Sequence, residues 1–243
     1  MRAESKRFRP TLLRSMVVEG GATAAVALSV GLGLMSWSGL GWTAPLLAGM
    51  PVAVALAASW TDLRLHPLST MGPANRVTLV RAVLVGVLAA YVGETAAGEL
   101  AWGLAVVASV ALALDGVDGR VARMTGSESP FGARLDMELD AVTVAVLSVL
   151  VWQLDKAGVW VLLSGALRYL YVAAGWVWPW LRAPVFPSFA RKVVCVVQVG
   201  ALLVCLLPPV MAPWSTGIAA AALVALFGSF GRDIVWLFQR RAA

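Results

Sequence analysis

The chain has 243 residues, of which 60% are hydrophobic and 13% charged, with a formal net charge of +6 and a mean hydropathy of +0.84. That balance excludes an ordinary soluble domain and implies an all-α polytopic membrane protein. The positive charge does not point to nucleic acid, because it gathers in the N-terminal tail and in alternate connections, as expected for cytoplasmic loops facing anionic membrane lipids.

Residues 1–15 carry Arg2, Lys6, Arg7, Arg9 and Arg14, and an uncharged run follows from about Gly20 to Trp42. The basic stretch is long and no small-residue cleavage site follows it, so it reads as the inside end of a first transmembrane helix and not as a signal peptide. Thr43 to Trp60 is a second apolar run, long enough to span, with Pro51 positioned to kink it. Residues 1–60 thus read as a basic tail plus a transmembrane hairpin, and residues 61–243 as a second membrane domain.

The break at 61–76 is polar and contains prolines. It includes His66, the single histidine, which reads as a loop residue and leaves no multi-histidine metal site. A helix is predicted from Asn75 to about Val92, with Asn75, Thr78 and Arg81 on one face. A helix cap followed by a snorkelling arginine would account for the same residues. Glu94 and Glu99 flank an outer turn. Leu100 to Leu114 is apolar but short for a full span, so it is expected to continue helically through Asp115 and Asp118. From Leu135 a helix carrying Asp136 and Asp140 runs through Trp152, and Asp155 to Gly158 makes the next outer turn.

Val159 to Trp180 is read as one returning span. Its Arg168 should face a partner and not lipid, and Trp176, Trp178 and Trp180 suit an interfacial belt. Arg182 to Lys192 is a basic connection, and Val193 to Leu207 and Ile218 to Phe238 supply the last two spans. The count is about eight. Basic residues concentrate on the side of the N-terminus, and Lys156 alone falls in a predicted outer turn, in keeping with a positive-inside orientation. Cys195 and Cys205 share one apolar segment, about 15 Å apart if it is helical, and cannot bridge each other there.

The chemistry concentrates between Asp115 and Asp140. Two acidic pairs, Asp115 with Asp118 and Asp136 with Asp140, each sit about one helical turn apart and so share a face. Gly116, Gly119, Gly126 and Gly132 lie between or beside them, with Arg120, Arg123 and Arg134. The expectation is two helix ends aiming carboxylates at a pocket floored by glycine backbone. Carboxylates at that density repel one another unless cations neutralise them, and hard oxygen donors suit Mg²⁺ or Mn²⁺. The plainer reading is a solvated acidic loop between two membrane helices.

The pattern Asp115-x2-Asp118-Gly119-x2-Ala122-Arg123-x8-Gly132-x3-Asp136-x3-Asp140 resembles the signature of the CDP-alcohol phosphatidyltransferase family, with every specified position and gap filled. Asn75, Thr78 and Arg81 likewise resemble the start of that family's first core helix, although Ala74 separates Pro73 from Asn75 here. The resemblance implies a six-helix core preceded by the extra N-terminal hairpin. It implies transfer of a phosphatidyl group from CDP-diacylglycerol to an alcohol, with release of CMP. Two Mg²⁺ or Mn²⁺ ions would lie on Asp115, Asp118, Asp136 and Asp140, and Asp140 would also be the general base. Gly119, Ala122, Arg123 and Gly132, with Asn75 and Thr78, would hold the nucleotide. It further implies a homodimer in the bacterial inner membrane, its active site facing the cytoplasm.

The acceptor must be read elsewhere. Arg168 stands where the phosphatidylglycerophosphate-synthase branch has an Arg-Glu pair, with Tyr169 in place of the glutamate. The stretch from Ser188 to Gln198 resembles that branch's Ser-x-x-Gly-Lys-x-Lys-Thr-x-x-Gln. It keeps Ser188, Lys192 and Gln198 and replaces the other fixed positions with Arg191, Val194 and Cys195. Arg168, Ser188, Arg191 and Lys192 would then bind the acceptor, whose cationic neighbours favour a phosphorylated polyol such as glycerol 3-phosphate. Arg191 and Lys192 anchoring a helix at anionic headgroups is the plainer alternative. Inositol phosphate, phosphatidylglycerol or an amino alcohol as acceptor, or a soluble CDP-alcohol as donor, fit the same chemistry. A cation transporter using the acidic cluster is the alternative of another class, and it would require mid-membrane carboxylates and repeated broken helices.

Overall fold

Apolar segments of this length find no hydrogen-bond partner in lipid except their own backbone, so they form helices. The computed structural model describes residues 10–60, 70–183, 185 and 189–241. Among these the chain forms α1 (Pro10–Ser38), α2 (Ala44–Ser59), α3 (Gly72–Ala90), α4 (Ala101–Thr125), α5 (Pro130–Gln153), α6 (Leu163–Val177), α7 (Phe189–Leu206) and α8 (Trp214–Arg241). Five helical stretches are long and apolar enough to cross a membrane, and Ala44–Ser59 and Val193–Leu206 are shorter apolar helices. The chain is an all-α polytopic membrane protein.

Several boundaries differ from those expected. α3 begins at Gly72, ahead of Asn75, because Pro73 occupies the first turn, where a missing N–H costs nothing. α4 runs on to Thr125, a full seven residues past Asp118, so its aspartates lie within the helix and not at its end. Residues 126–129 alone join it to α5, turning at Gly126 with φ +60°. The expected span 159–180 is not one helix. A 3-10 turn over Val159–Leu162 leads into α6, and Trp178 (φ −117°, ψ 90°) breaks the helix ahead of Pro179. His66 and the basic residues before Pro10 lie outside the described residues.

The chain divides into two compact units, 1–96 with 106–142 and 97–105 with 143–243, so that α4 and α5 contribute residues to both. In the first unit α1, α2 and α3 pack on one another. A Cβ on Gly31 would come within 2.6 Å of Pro45 Cα, and one on Gly86 would collide with the Ala48 carbonyl, so bare glycine lets these helices approach closely. The N-terminal hairpin is therefore built directly onto α3. Polar ties fix its ends. Glu19 of α1 accepts from Arg76 Nε at 2.7 Å, Ser15 Oγ accepts from the Met71 N–H at 3.1 Å, and Glu94 accepts from the Gly41 N–H at 2.8 Å.

In the second unit α7 packs on α8, and α6 meets α5 where a Cβ on Gly165 would fall 2.5 Å from Ala145 Cα. Trp176 and Trp178 are exposed as a belt requires, whereas Trp180 makes a T-shaped contact with Phe238 at 5.9 Å between centroids. Cys195 and Cys205, both in α7, form no disulfide. Lys156 explains its own exception to the charge pattern. It is buried, and its ammonium donates to the carbonyls of Leu207, Pro208 and Val210 at 3.3, 3.1 and 2.9 Å, just beyond the end of α7. Its own carbonyl accepts from Ser215 Oγ at 2.5 Å. The charge closes the turn between α7 and α8 and also complements the helix dipole.

Replacing Lys156 by Met keeps its bulk and strands three carbonyls. We expect a loss of about 2 kcal/mol or more, read as a lowered melting temperature of the detergent-solubilised protein, with the transferase residues intact.

Candidate active site

Three helices of the first unit each present one polar face. Asn75, Thr78 and Arg81 recur every three residues on α3, Asp115 and Asp118 are three apart on α4, and Asp136 and Asp140 are four apart on α5. Helical periodicity alone puts each set on one side of its helix. What periodicity does not dictate is that the three faces meet, and they do.

The meeting point is Arg81. Its side chain is 2% exposed, yet Nη1 lies 2.7 Å from Asp115 Oδ1, 3.0 Å from Asp118 Oδ2 and 2.7 Å from Asp136 Oδ1. Nη2 contacts Asp140 Oδ1. One guanidinium therefore bridges all four expected carboxylates. The Thr78 hydroxyl lies 3.1 Å from Asp118 Oδ2 and 3.2 Å from the Ala74 carbonyl, and donates to one at a time. Asp118 is buried, while Asp115, Asp136 and Asp140 are partly open.

Asp115, Asp118 and Asp136 each offer an oxygen within 4.8 Å of the other two. Carboxylate oxygens converging from two helices form the hard donor set that Mg²⁺ or Mn²⁺ prefers, and three of them leave positions open for water or phosphate oxygens. The residues fit such an ion.

Three of the four glycines between the aspartates, Gly116, Gly119 and Gly132, lie within helices, and an added Cβ on Gly116 would meet nothing within 4 Å. Only Gly126 of the four makes the turn. Gly119 lies beneath Arg123, whose Nη1 would be 3.5 Å from an added Cβ. Arg123 itself is exposed, and Ala122 is half-buried beside it. Gly132 lies against α3. A Cβ there would fall 2.6 Å from Asn75 Oδ1 and 3.3 Å from Ser129 Oγ. Asn75 is buried and donates to the Met71 carbonyl at 2.5 Å, so it is held at the spot where α5 begins. Arg134 pairs with Glu138 at 3.1 Å on α5.

The residues expected to bind the acceptor belong to the second unit. Arg168 is half-buried on α6, as an intramembrane charge should be. Ser188 and the Lys192 side chain lie outside the described residues. Arg191 Nη1 lies 3.4 Å from Asp233 Oδ2 on α8, and that carboxylate is buried. Sequence reasoning missed Asp233, although a carboxylate inside an otherwise apolar helix was itself the signal. Gln198 is 1% exposed and neither amide atom finds a hydrogen-bond partner among the described residues, which marks a polar place within an apolar unit.

The family model described as CDP-alcohol phosphatidyltransferase matches residues 71–228, from the start of α3 into α8. No curated protein and no solved structure matches the chain.

Gly132→Ala tests whether the close approach of α5 to Asn75 matters. The added methyl has to push aside a buried amide, a change worth about 1–3 kcal/mol. We expect a lower melting temperature and an activity loss that Asn75→Ala, which makes room for the methyl, partly reverses in the double variant.

Proposed function

The chain belongs to the CDP-alcohol phosphatidyltransferase family, and from that membership we propose that it moves a phosphatidyl group from CDP-diacylglycerol to a phosphorylated polyol such as glycerol 3-phosphate, releasing CMP. Phosphotransfer out of a CDP-linked substrate at a membrane is the family's chemistry, and the cation-pathway reading falls with it. The observation that carries the finer reading is the convergence of Asp115, Asp118, Asp136 and Asp140 at one point, from α4 and α5, in the order and spacing of the signature.

In this reading Asp115, Asp118, Asp136 and Asp140 hold two ions, Mg²⁺ or Mn²⁺. Bound divalent ions would neutralise the diphosphate and ease the departure of CMP. The acceptor hydroxyl bonds to the phosphorus that bears the lipid, the bond from that phosphorus to the CMP oxygen breaks, and the hydroxyl proton passes to Asp140. Asp140 suits this role because it is partly open and stands one turn beyond Asp136. Arg123, exposed and free to swing above Gly119, reaches for the diphosphate, where a planar guanidinium matches phosphate oxygens. Ala122 and Gly132 keep the nucleotide side of α4 and α5 lean, while Asn75 and Thr78 brace it from α3.

The acceptor end rests on Arg168, Ser188, Arg191 and Lys192. The buried Asp233 beside Arg191 restrains that guanidinium, so less side-chain freedom would be lost when it meets a phosphate. The distribution of basic residues favours an active site at the cytoplasmic face, in a bacterial inner membrane, and the family suggests a homodimer.

The decisive measurement is CMP release from CDP-diacylglycerol with a panel of acceptors, each product identified by mass spectrometry. We expect release that depends on Mg²⁺ or Mn²⁺ and is greatest with glycerol 3-phosphate, and Asp140→Asn should lower it by about 10² or more. No release with any acceptor would end the proposal, and activity with a soluble CDP-alcohol alone would move the donor. Arg191→Gln should raise KM for the phosphorylated acceptor roughly tenfold with a smaller change in kcat. An equal effect on an unphosphorylated acceptor would remove Arg191 from the acceptor site.

A further inference from the structure

We propose that Arg81 is a tethered counter-ion, which occupies the carboxylate site before divalent ions arrive and must leave it when they bind. This rests on the reading of the site as a metal-dependent transferase centre, and concerns how that centre is loaded.

Nη1 is not beside the ligand set but within it, 2.7–3.0 Å from oxygens of Asp115, Asp118 and Asp136. The three residues each offer an oxygen within 4.8 Å of the other two. One octahedral Mg²⁺ with bonds of about 2.1 Å would draw neighbouring oxygens to roughly 3 Å. The site is thus gathered around N–H donors, its oxygens 2.7–3.0 Å from the nitrogen and not at the roughly 2.1 Å of bonds to a small divalent ion. An ion reaching the same three oxygens needs the space the nitrogen fills. The two cations also repel.

Arginine cannot yield by losing its proton, since its pKa keeps it charged throughout. A lysine in the same place could step down as a neutral amine, but Arg81 must move. Its second arm contacts Asp140, so a departure of the guanidinium also frees the carboxylate assigned as base. Burial makes the arrangement mutual. A guanidinium 2% exposed needs counter-charges, and four carboxylates in an apolar protein need a cation. Arg81 supplies one from within the chain. The consequence for loading is a competition, in which apparent ion affinity falls by the fraction of time the site spends filled by the guanidinium.

The test uses the full-length protein in detergent, with Mn²⁺ as probe, read as loss of the free-ion signal in electron paramagnetic resonance. Arg81→Gln removes the competitor, and we expect it to bind Mn²⁺ at least about tenfold more tightly than the unsubstituted protein. In chelator its melting temperature should fall, and saturating Mn²⁺ should restore it. Arg81→Lys, which keeps a charge, should fall between. Affinity unchanged or weakened in Arg81→Gln would overturn the proposal and make Arg81 a brace for the ligands. Should Arg81→Gln fail to fold, structures of the unsubstituted protein with chelator and with Mn²⁺ decide. A guanidinium that leaves Asp115, Asp118 and Asp136 when ions bind supports the proposal, and one that stays among them overturns it. If the unsubstituted protein binds no Mn²⁺ at all, the metal-dependent reading itself has failed and this proposal falls with it.

Discussion

Four carboxylates brought to one point in an apolar protein repel one another strongly unless a cation or bound protons offset their charge. The first unit is organised around meeting that requirement. α4 and α5 each bring two aspartates on one face, and α3 brings the guanidinium between them. Asp118, the most buried of the four, also receives the Thr78 hydroxyl. The same density of charge that makes the site costly is what suits it to divalent ions, so the two properties have one source.

Holding α3 in register is then as consequential as placing the aspartates. α1 and α2 pack on α3 through close approaches at Gly31 and Gly86, and Glu19, Ser15 and Glu94 pin the hairpin's ends by hydrogen bonds. The N-terminal hairpin is thereby part of the scaffold that carries Arg81, Thr78 and Asn75. Gly132 completes the join by letting α5 begin against the Asn75 amide.

The second unit spends its charges differently. Lys156 is consumed by the carbonyls at the α7–α8 turn, a structural use that removes it from any surface role. Arg191 has its own carboxylate in Asp233, and Gln198 is buried with amide atoms that find no hydrogen-bond partner among the described residues.

The sequence by itself determined the class, the helices and the faces. Apolar runs in lipid have no alternative to the helix, and a spacing of three or four residues fixes which side chains share a side, since both follow from local backbone geometry. Asp115, Asp118, Asp136 and Asp140 were legible for that reason, and so was the continuation of α4 through the first pair. The break at Trp178 and the length of α4 past Asp118 were less so, because helix ends depend on a few local dihedrals that apolar periodicity does not report. The positions of Arg81 among the carboxylates, Lys156 on the α7–α8 turn and Asp233 beside Arg191 were decided by tertiary structure. Each joins residues 34 or more apart in the chain, and helical periodicity says nothing about which face of one helix will meet which face of another. That choice belongs to packing, to where glycine lets backbones touch and to where opposite charges have to find each other out of water.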